Sequence, residues 1–181
     1  MNKPIINALS DKSHPCQTLA DLITLFEIFH TLKLEISWFG DINNVLFSLI
    51  EAANLLDEIK LNIFSHKTLL KNIKCKMNSN IFLYDKIENS LIKSSDCIMT
   101  DVFESMNDTE NTKKSELLKS FQINRDVMNI TKNNCVFMHC LPAKIGQEVT
   151  LEVINSSKSV VWNQAKNRLH AQMRLMKCIN W

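Results

Sequence analysis

Apolar residues recur along this chain in two rhythms. Short β-rich runs occupy 34–39 (Leu34-Glu35-Ile36-Ser37-Trp38-Phe39), Lys60 to Phe64, Asn80 to Tyr84, Cys97 to Thr100, Val136 to Met138 and Ser159 to Trp162. Between them lie stretches of helix length: Val45 to Leu56 carries apolar residues at helical spacing, and Ser65 stands where it can cap a second helix. Strands separated by helix-length segments predict right-handed crossovers and a parallel sheet covered on both faces. The expected fold class is therefore an α/β, Rossmann-like three-layer sandwich. Two further helices are predicted at the ends, His14 to His30 with Pro15 near its first turn and Gln164 to Ile179. Leu19, Leu22, Ile23, Phe26 and Phe29 form the apolar stripe of the first, and Leu169, Met173, Met176 and Ile179 that of the second. Periodicity alone leaves two uses for them, covering the sheet or docking onto another domain or chain.

Composition narrows the class of partner more than it narrows the fold. A length of 181 residues fits one domain, and 45% apolar with 22% charged residues is ordinary for a soluble globular chain. A formal charge of +2 provides no field that would favour nucleic acid or an anionic membrane. The six cysteines never form CxxC, which argues against a zinc cluster or thioredoxin-type motif and predicts reduced thiols and no metal. Met1 to Ser10 lacks the apolar core of a signal peptide, and Lys or Glu interrupts the apolar runs, so a cytoplasmic location is expected. With only two Gly, turns must rely on Asn, Asp and Ser; the polar stretch Asn107 to Ser115 reads as a surface loop or a first helical turn. The single Gly40 after the first strand does not make GxGxxG, which disfavours a dinucleotide.

Chemistry-bearing residues collect at the predicted strand ends. His139-Cys140-Leu141-Pro142 follows the run Cys135 to Met138, placing a thiol and an imidazole where a buried strand meets a turn. Gly40-Asp41-Ile42-Asn43-Asn44 follows the first strand, Asp101 to Met106 another, and Gln164 to Arg168 the last. Taken one at a time, each has a structural use: Cys140 as a small core residue, Asn43 and Asn44 as helix caps, Arg168 as part of a solvated helix face. Together, four such ends on one rim make a pocket.

Their order along the chain resembles the ornithine carbamoyltransferases, specifically their C-terminal half, from about Pro4 to Met176. The resemblance rests on 6–11 (Ile6-Asn7-Ala8-Leu9-Ser10-Asp11) leading into His14-Pro15-Cys16-Gln17, on Trp38-Phe39-Gly40-Asp41 with Asn43-Asn44, on Asp101 with Ser105-Met106, on Phe137 to Pro142, and on Asn167-Arg168. An aspartate carbamoyltransferase shares the HPxQ element, whereas the Ser-Met and His-Cys-Leu-Pro elements favour an ornithine-type substrate. The resemblance implies an interdomain helix segment at 1–33, an ornithine-binding α/β domain at 34–163, and a C-terminal helix at 164–181 packing on a carbamoyl-phosphate domain.

What the resemblance implies for function is transfer of the carbamoyl group from carbamoyl phosphate to the δ-amine of L-ornithine, giving L-citrulline and phosphate in arginine biosynthesis. His14, Gln17 and Arg168, with backbone at Cys140 and Leu141, match the contacts to carbamoyl phosphate; Asn44, Asp101, Ser105 and Met106 match those to ornithine. Cys140, Arg168 and His14 are the expected catalytic residues, with Cys140 orienting the δ-amine or accepting its proton rather than acting as a covalent nucleophile. No cofactor is expected, because carbamoyl phosphate is already activated and catalysis is mostly positioning and electrostatics.

The chain departs from the family's pattern at four points. Ile42 and Asn107 stand where Gly is usual, Lys166 where Glu is usual, and the Ser-Thr-Arg-Thr-Arg phosphate loop of the family's N-terminal domain does not occur. Losing three charge-assisted hydrogen bonds costs roughly 4.5–9 kcal/mol, a factor of about 10³ to 10⁶ in binding, so the chain alone is expected to be inactive. Three hypotheses follow from this: half of a split enzyme completed by a separate N-terminal chain within a homotrimer, a truncated remnant, or an amino-acid-binding module without catalysis.

Overall fold

All five strands of the central sheet run parallel and stop on the same rung. In the structure, a computed structural model describing residues 4–104 and 111–179 (backbone alone for 111–113), the elements in chain order are α1 (Pro15–Phe29), β1 (Glu35–Phe39), α2 (Asn44–Leu55), β2 (Lys60–Phe64), α3 (Lys67–Leu70), β3 (Ile81–Tyr84) and α4 (Asn89–Ile92). They are followed by β4 (Cys97–Thr100), α5 (Asn111–Leu118), a short 3₁₀ turn, α6 (Arg125–Ile130), β5 (Val136–His139), α7 (Leu151–Ile154) and α8 (Val161–Cys178). The strand order is β3-β2-β1-β4-β5. Phe39 pairs with Phe64 and Thr100, Phe64 with Tyr84, and Thr100 with His139, so Gly40, Ser65, Asp85, Asp101 and Cys140 all emerge at one rim. The chain walks outward from β1 in one direction and from β4 in the other. Between β1 and β4 lies the switch point at which sheets of this kind hold ligands.

Period-two alternation divides the interior into two layers. Ile36 and Trp38, Leu61 and Ile63, Cys97 and Met99, and Val136 and Met138 pack with Leu25 of α1 and Val45, Leu46, Leu49 and Ile50 of α2. Phe39, Phe64, Ile98 and Phe137 join Ile92, Leu118, Val127, Val153 and Val161 in the second layer. Both faces are covered, as the continuous apolar character of the strands requires. Phe39, Phe64 and Tyr84 stack in succession at ring separations of 4.8 and 5.0 Å.

Two expectations are corrected. Ser159 to Trp162 is not a sixth strand: Ser159 makes one isolated bridge to Phe137 and α8 begins at Val161. A four-residue apolar run cannot distinguish strand from helix, and here the helical spacing of Val161, Gln164, Asn167 and Ala171 decides, turning Trp162 out to 70% exposure. Gln164 to Arg168 therefore lies within a helix and not after a strand. His139 closes β5 and is fully buried, so only Cys140 follows that strand.

The terminal helices also bury a different face from the one their apolar stripes predict. In α1 the buried positions are Cys16, Gln17, Thr18, Ala20, Asp21, Thr24 and Leu25, while Leu19 and Phe26 are exposed. In α8 they are Val161, Gln164, Asn167 and Ala171, while Leu169, Met173 and Met176 are exposed. The two helices pack on each other through polar side chains. Of the polar stretch after Asn107, Asn111 to Leu118 is helical; Ser105, Met106 and Asn107 lie outside the described residues. Ile42 packs its side chain partly into the first core layer, and Lys166 is exposed on α8. No helix among the described residues is long and apolar enough to cross a membrane.

Candidate functional site

At the switch point, the turn after β1 requires a residue without a side chain. Gly40 has φ +114°, and a Cβ there would lie 2.7 Å from a Phe103 ring carbon. The turn brings Asn43 to the N-terminus of α2, where its side-chain Oδ1 accepts from the N–H groups of Val45 and Leu46. Its amide nitrogen remains free to donate across the rim to Asp101 Oδ2 at 2.7 Å. One residue thus caps a helix and holds an acid. Asn44 instead donates to the Ser10 carbonyl at 2.7 Å, which ties the N-terminal segment to α2.

Cys140 completes this cluster from the other side. Its thiol donates to Asp101 Oδ1 at 3.0 Å, the same oxygen that accepts from Val102 N–H. Burial pushes the thiol well above its usual range, and the Asp101 charge pushes it further in the same direction. Cys140 is therefore a neutral donor at physiological pH. Among the described residues this chemistry suits orienting a polar group better than nucleophilic attack, for which a thiolate is needed.

The turn that follows is braced from below. His139 Nδ1 accepts from Leu141 N–H at 2.9 Å, and Nε2 lies 3.1 Å from Glu148 Oε1, which also accepts from Lys144 N–H. These bonds place the ring proton on Nε2. Both His139 and Glu148 are fully buried. Leu141 takes φ +55°, and the peptide bond that follows it, to Pro142, is cis. Asp101, His139 and Cys140 each bring one potential metal-ligand atom within 4.8 Å of the others, but both His139 nitrogens and the Asp101 carboxylate already have protein partners. The same atoms cannot take a metal without breaking that bracing.

A second cluster comes from α1 and α8. His14, ahead of Pro15 at the start of α1, donates its N–H to Ser48 Oγ at 2.7 Å. Arg168 Nη1 reaches both His14 Nε2, at 3.0 Å, and Gln17 Oε1. Burial and the neighbouring guanidinium lower the His14 pKa, which keeps the imidazole neutral and its Nε2 available as an acceptor. Arg168 Nε is buried without a partner among the described residues. Gln17 passes the contact on to Asp21, and Gln164 of α8 joins it there, each donating to Asp21 Oδ1 at 2.8 Å. Gln164 Oε1 accepts the N–H of His139 at 2.9 Å, connecting this cluster to the base of the Cys140 turn. The Asp101 charge acts on both His14 and Asp21, so the two clusters share one electrostatic field.

The structure brings His14, Gln17 and Arg168 together and sets Asp101 against Cys140. It does not bring Asn44 to Asp101; Asn43 has that contact. The Leu141 N–H is already bonded to His139 Nδ1. Sequence reasoning passed over Asp21, Gln164 as a hydrogen-bonding residue, and Glu148. The available signal for the first two was helical spacing: Asp21 stands four residues from Gln17, and Gln164 four from Arg168. Glu148 carried none, because a buried acid in an irregular segment looks like any surface loop residue.

Comparison with known proteins converges on one family. The aspartate/ornithine carbamoyltransferase Asp/Orn-binding domain profile fits residues 32–179. The chain belongs to that family. It is 41% identical over 180 residues to the ornithine carbamoyltransferase of Rhodopseudomonas palustris and 40% identical over 187 residues to the anabolic ornithine carbamoyltransferase of Pyrococcus furiosus, covering 96% and 97% of this chain but 57% of either relative's length or slightly more. Among solved structures, Thermus thermophilus ornithine carbamoyltransferase superposes with a TM-score of 0.81 at 36% identity, over 98% of this chain and 59% of that one. This carbamoyltransferase domain thus spans a little under three fifths of the relatives it matches.

Proposed function

We propose that the chain supplies the ornithine-binding and carbonyl-polarising side of an ornithine carbamoyltransferase. What supports this most is a carboxylate held at the switch point by Asn43 and Cys140, together with a guanidinium held by His14 and Gln17. A carboxylate is the partner for the α-ammonium of ornithine, and a guanidinium for a carbonyl oxygen that gains negative charge during attack. Arg168 has five donors and uses Nη1 here, so others remain for carbamoyl phosphate. Carbonyl groups at Cys140 and Leu141 accept from its amide, Cys140 orients the δ-amine, and Asn44, Ser105 and Met106 complete the ornithine contacts. The deprotonated δ-amine attacks the carbonyl carbon and the C–N bond forms; the C–O bond to phosphate breaks with its electron pair on the departing phosphate, which takes up the proton lost from the new nitrogen.

The phosphate grip is assigned to the part of the relatives that lies outside the matched length. Residues 1–33 and 164–181 then link the ornithine domain, 34–163, to that part. Exposed Leu19, Phe26, Leu169, Met173 and Met176 would form the face it covers, in a separate chain or within a homotrimer. The deciding measurement is ornithine binding by calorimetry together with citrulline formation on the same purified sample. Binding without turnover is expected, and supplying the complementary domain should restore turnover. Absence of both ornithine binding and restored turnover would overturn the reading. In the restored enzyme Arg168→Ala should lower kcat/KM for carbamoyl phosphate by about 10² or more, and Cys140→Ser should lower kcat with a smaller effect on carbamoyl phosphate.

A further inference from the structure

Asp21 is a buried acid for which the proposed reaction has no use. It is 1% exposed, between Gln17 at 2% and Gln164 at 0%, and none of the three can exchange its partners for water. We infer that Asp21 is a positioning residue for the site: one carboxylate oxygen, accepting from Gln17 and Gln164 at once, fixes which end of each side-chain amide faces Arg168 and the Cys140 turn. This rests on the reading of those residues as carbamoyl-phosphate contacts.

A glutamine amide carries a donor and an acceptor of nearly the same shape, so its orientation has to be set by a neighbour. Asp21 Oδ1 takes Gln17 Nε2 and Gln164 Nε2, both at 2.8 Å. The Gln17 oxygen is thereby turned to Arg168 and the Gln164 oxygen to the N–H of His139, the residue before Cys140. Reversing either amide would set donor against donor in a dry seam, and a buried group without its partner costs enough to select one orientation. The geometry is built from two pairs at four-residue spacing, Gln17 with Asp21 on α1 and Gln164 with Arg168 on α8. Among the described residues, a carboxylate in this place has no cation in direct contact; Arg168 acts on it through Gln17 and through space. Such a group is costly to bury, which a merely structural seam of amides would avoid by using an Asn or Ser.

The test is nuclear magnetic resonance of the 181-residue chain, followed by ligand affinity. In the unsubstituted chain the side-chain NH₂ signals of Gln17 and Gln164 should shift together, with the midpoint of the Asp21 carboxyl carbon. His14, which Arg168 contacts, has its own ring-carbon signals and can be separated. Asp21→Leu should displace the His139 amide and Arg168 guanidinium signals and, in the enzyme completed by the complementary domain, weaken carbamoyl phosphate about tenfold. Asp21→Asn, which keeps an accepting oxygen, should restore most of that loss. Amide signals that ignore the Asp21 titration would overturn the inference, as would a folded Asp21→Leu variant with unchanged His139 and Arg168 signals. If Asp21→Leu does not fold, the titration of the unsubstituted chain still decides. If ornithine is not bound and the complementary domain restores no turnover, the functional reading fails, while the amide signals continue to test Asp21.

Discussion

The sheet interior and the seam between α1 and α8 are both dry, yet they are held by opposite means. The sheet buries Trp38, Phe39, Phe64 and Phe137 with relative exposures near zero, and its energy comes from apolar area and close packing. At the seam Gln17, Asp21, Thr24, Gln164 and Asn167 are buried, and each is paired: Asn167 donates to Thr24 Oγ1 at 3.0 Å and to Glu27 Oε2 at 2.7 Å. An apolar layer tolerates exchange of one hydrocarbon for another of similar volume. A polar seam does not, because each donor has one available acceptor and no water to replace it. The seam is accordingly the place where a substitution changes the orientation of the site, and the sheet the place where it changes stability.

Four measurements would break or sharpen that contrast. The largest effect belongs to the sheet: Trp38→Ala should cost about 3–5 kcal/mol by urea denaturation, and a loss below about 1 kcal/mol would mean the layer is not packed as described. The seam comes next and depends on pH. Burial raises the Asp21 pKa from 3.8 to about 7, against the hydrogen bonds from Gln17 and Gln164. A raised folded-state pKa gives stability that is fully present below about pH 4 and is lost as pH rises through 7. At ~1.4 kcal/mol per pH unit the upper bound is about 4 kcal/mol, and Asp21→Asn should flatten the curve across that window. A third test concerns the Cys140 turn. Glu148→Ala leaves His139 Nε2–H and Lys144 N–H without an acceptor and should cost about 2–4 kcal/mol, whereas Glu148→Gln should recover much of it. The smallest effect is expected outside both regions: the exposed Arg125–Glu152 pair, at 3.1 Å, should change stability by less than about 0.5 kcal/mol when Arg125 is replaced by Ala.

Much of the fold could be read from the chain because each layer of a parallel sheet repeats the same local statement. Five of six expected strands form, with ends within a residue or so of those expected, since Val, Ile, Phe and Trp at alternating positions have one stable use there. The sixth failed because Ser159 to Trp162 is too short to carry a period and the helix behind it extends into it. The apolar stripes of the terminal helices were legible as stripes, but their orientation was not: the polar residues face inward because partners at 143 residues' separation meet them, and nothing local announces that.

Of the candidate site, the pairs that a strand end dictates were legible. Asp101 and Cys140 meet because β4 and β5 are adjacent and end on one rung. Asn43 and Asn44 were not distinguishable in the sequence, because either can cap a helix; the turn geometry after Gly40 gave the cap and the Asp101 contact to the first and sent the second to Ser10.

The sequence by itself determined the α/β class, the position of five strands and the family, since these follow from periodicity and from motifs whose order survives without coordinates. The tertiary structure alone decided which atoms of those motifs are free. Whether an amide presents its oxygen or its nitrogen, and whether a thiol stays protonated, depends on burial and on neighbours distant in the chain. Those are properties of the packed interior, where water no longer supplies the missing partner.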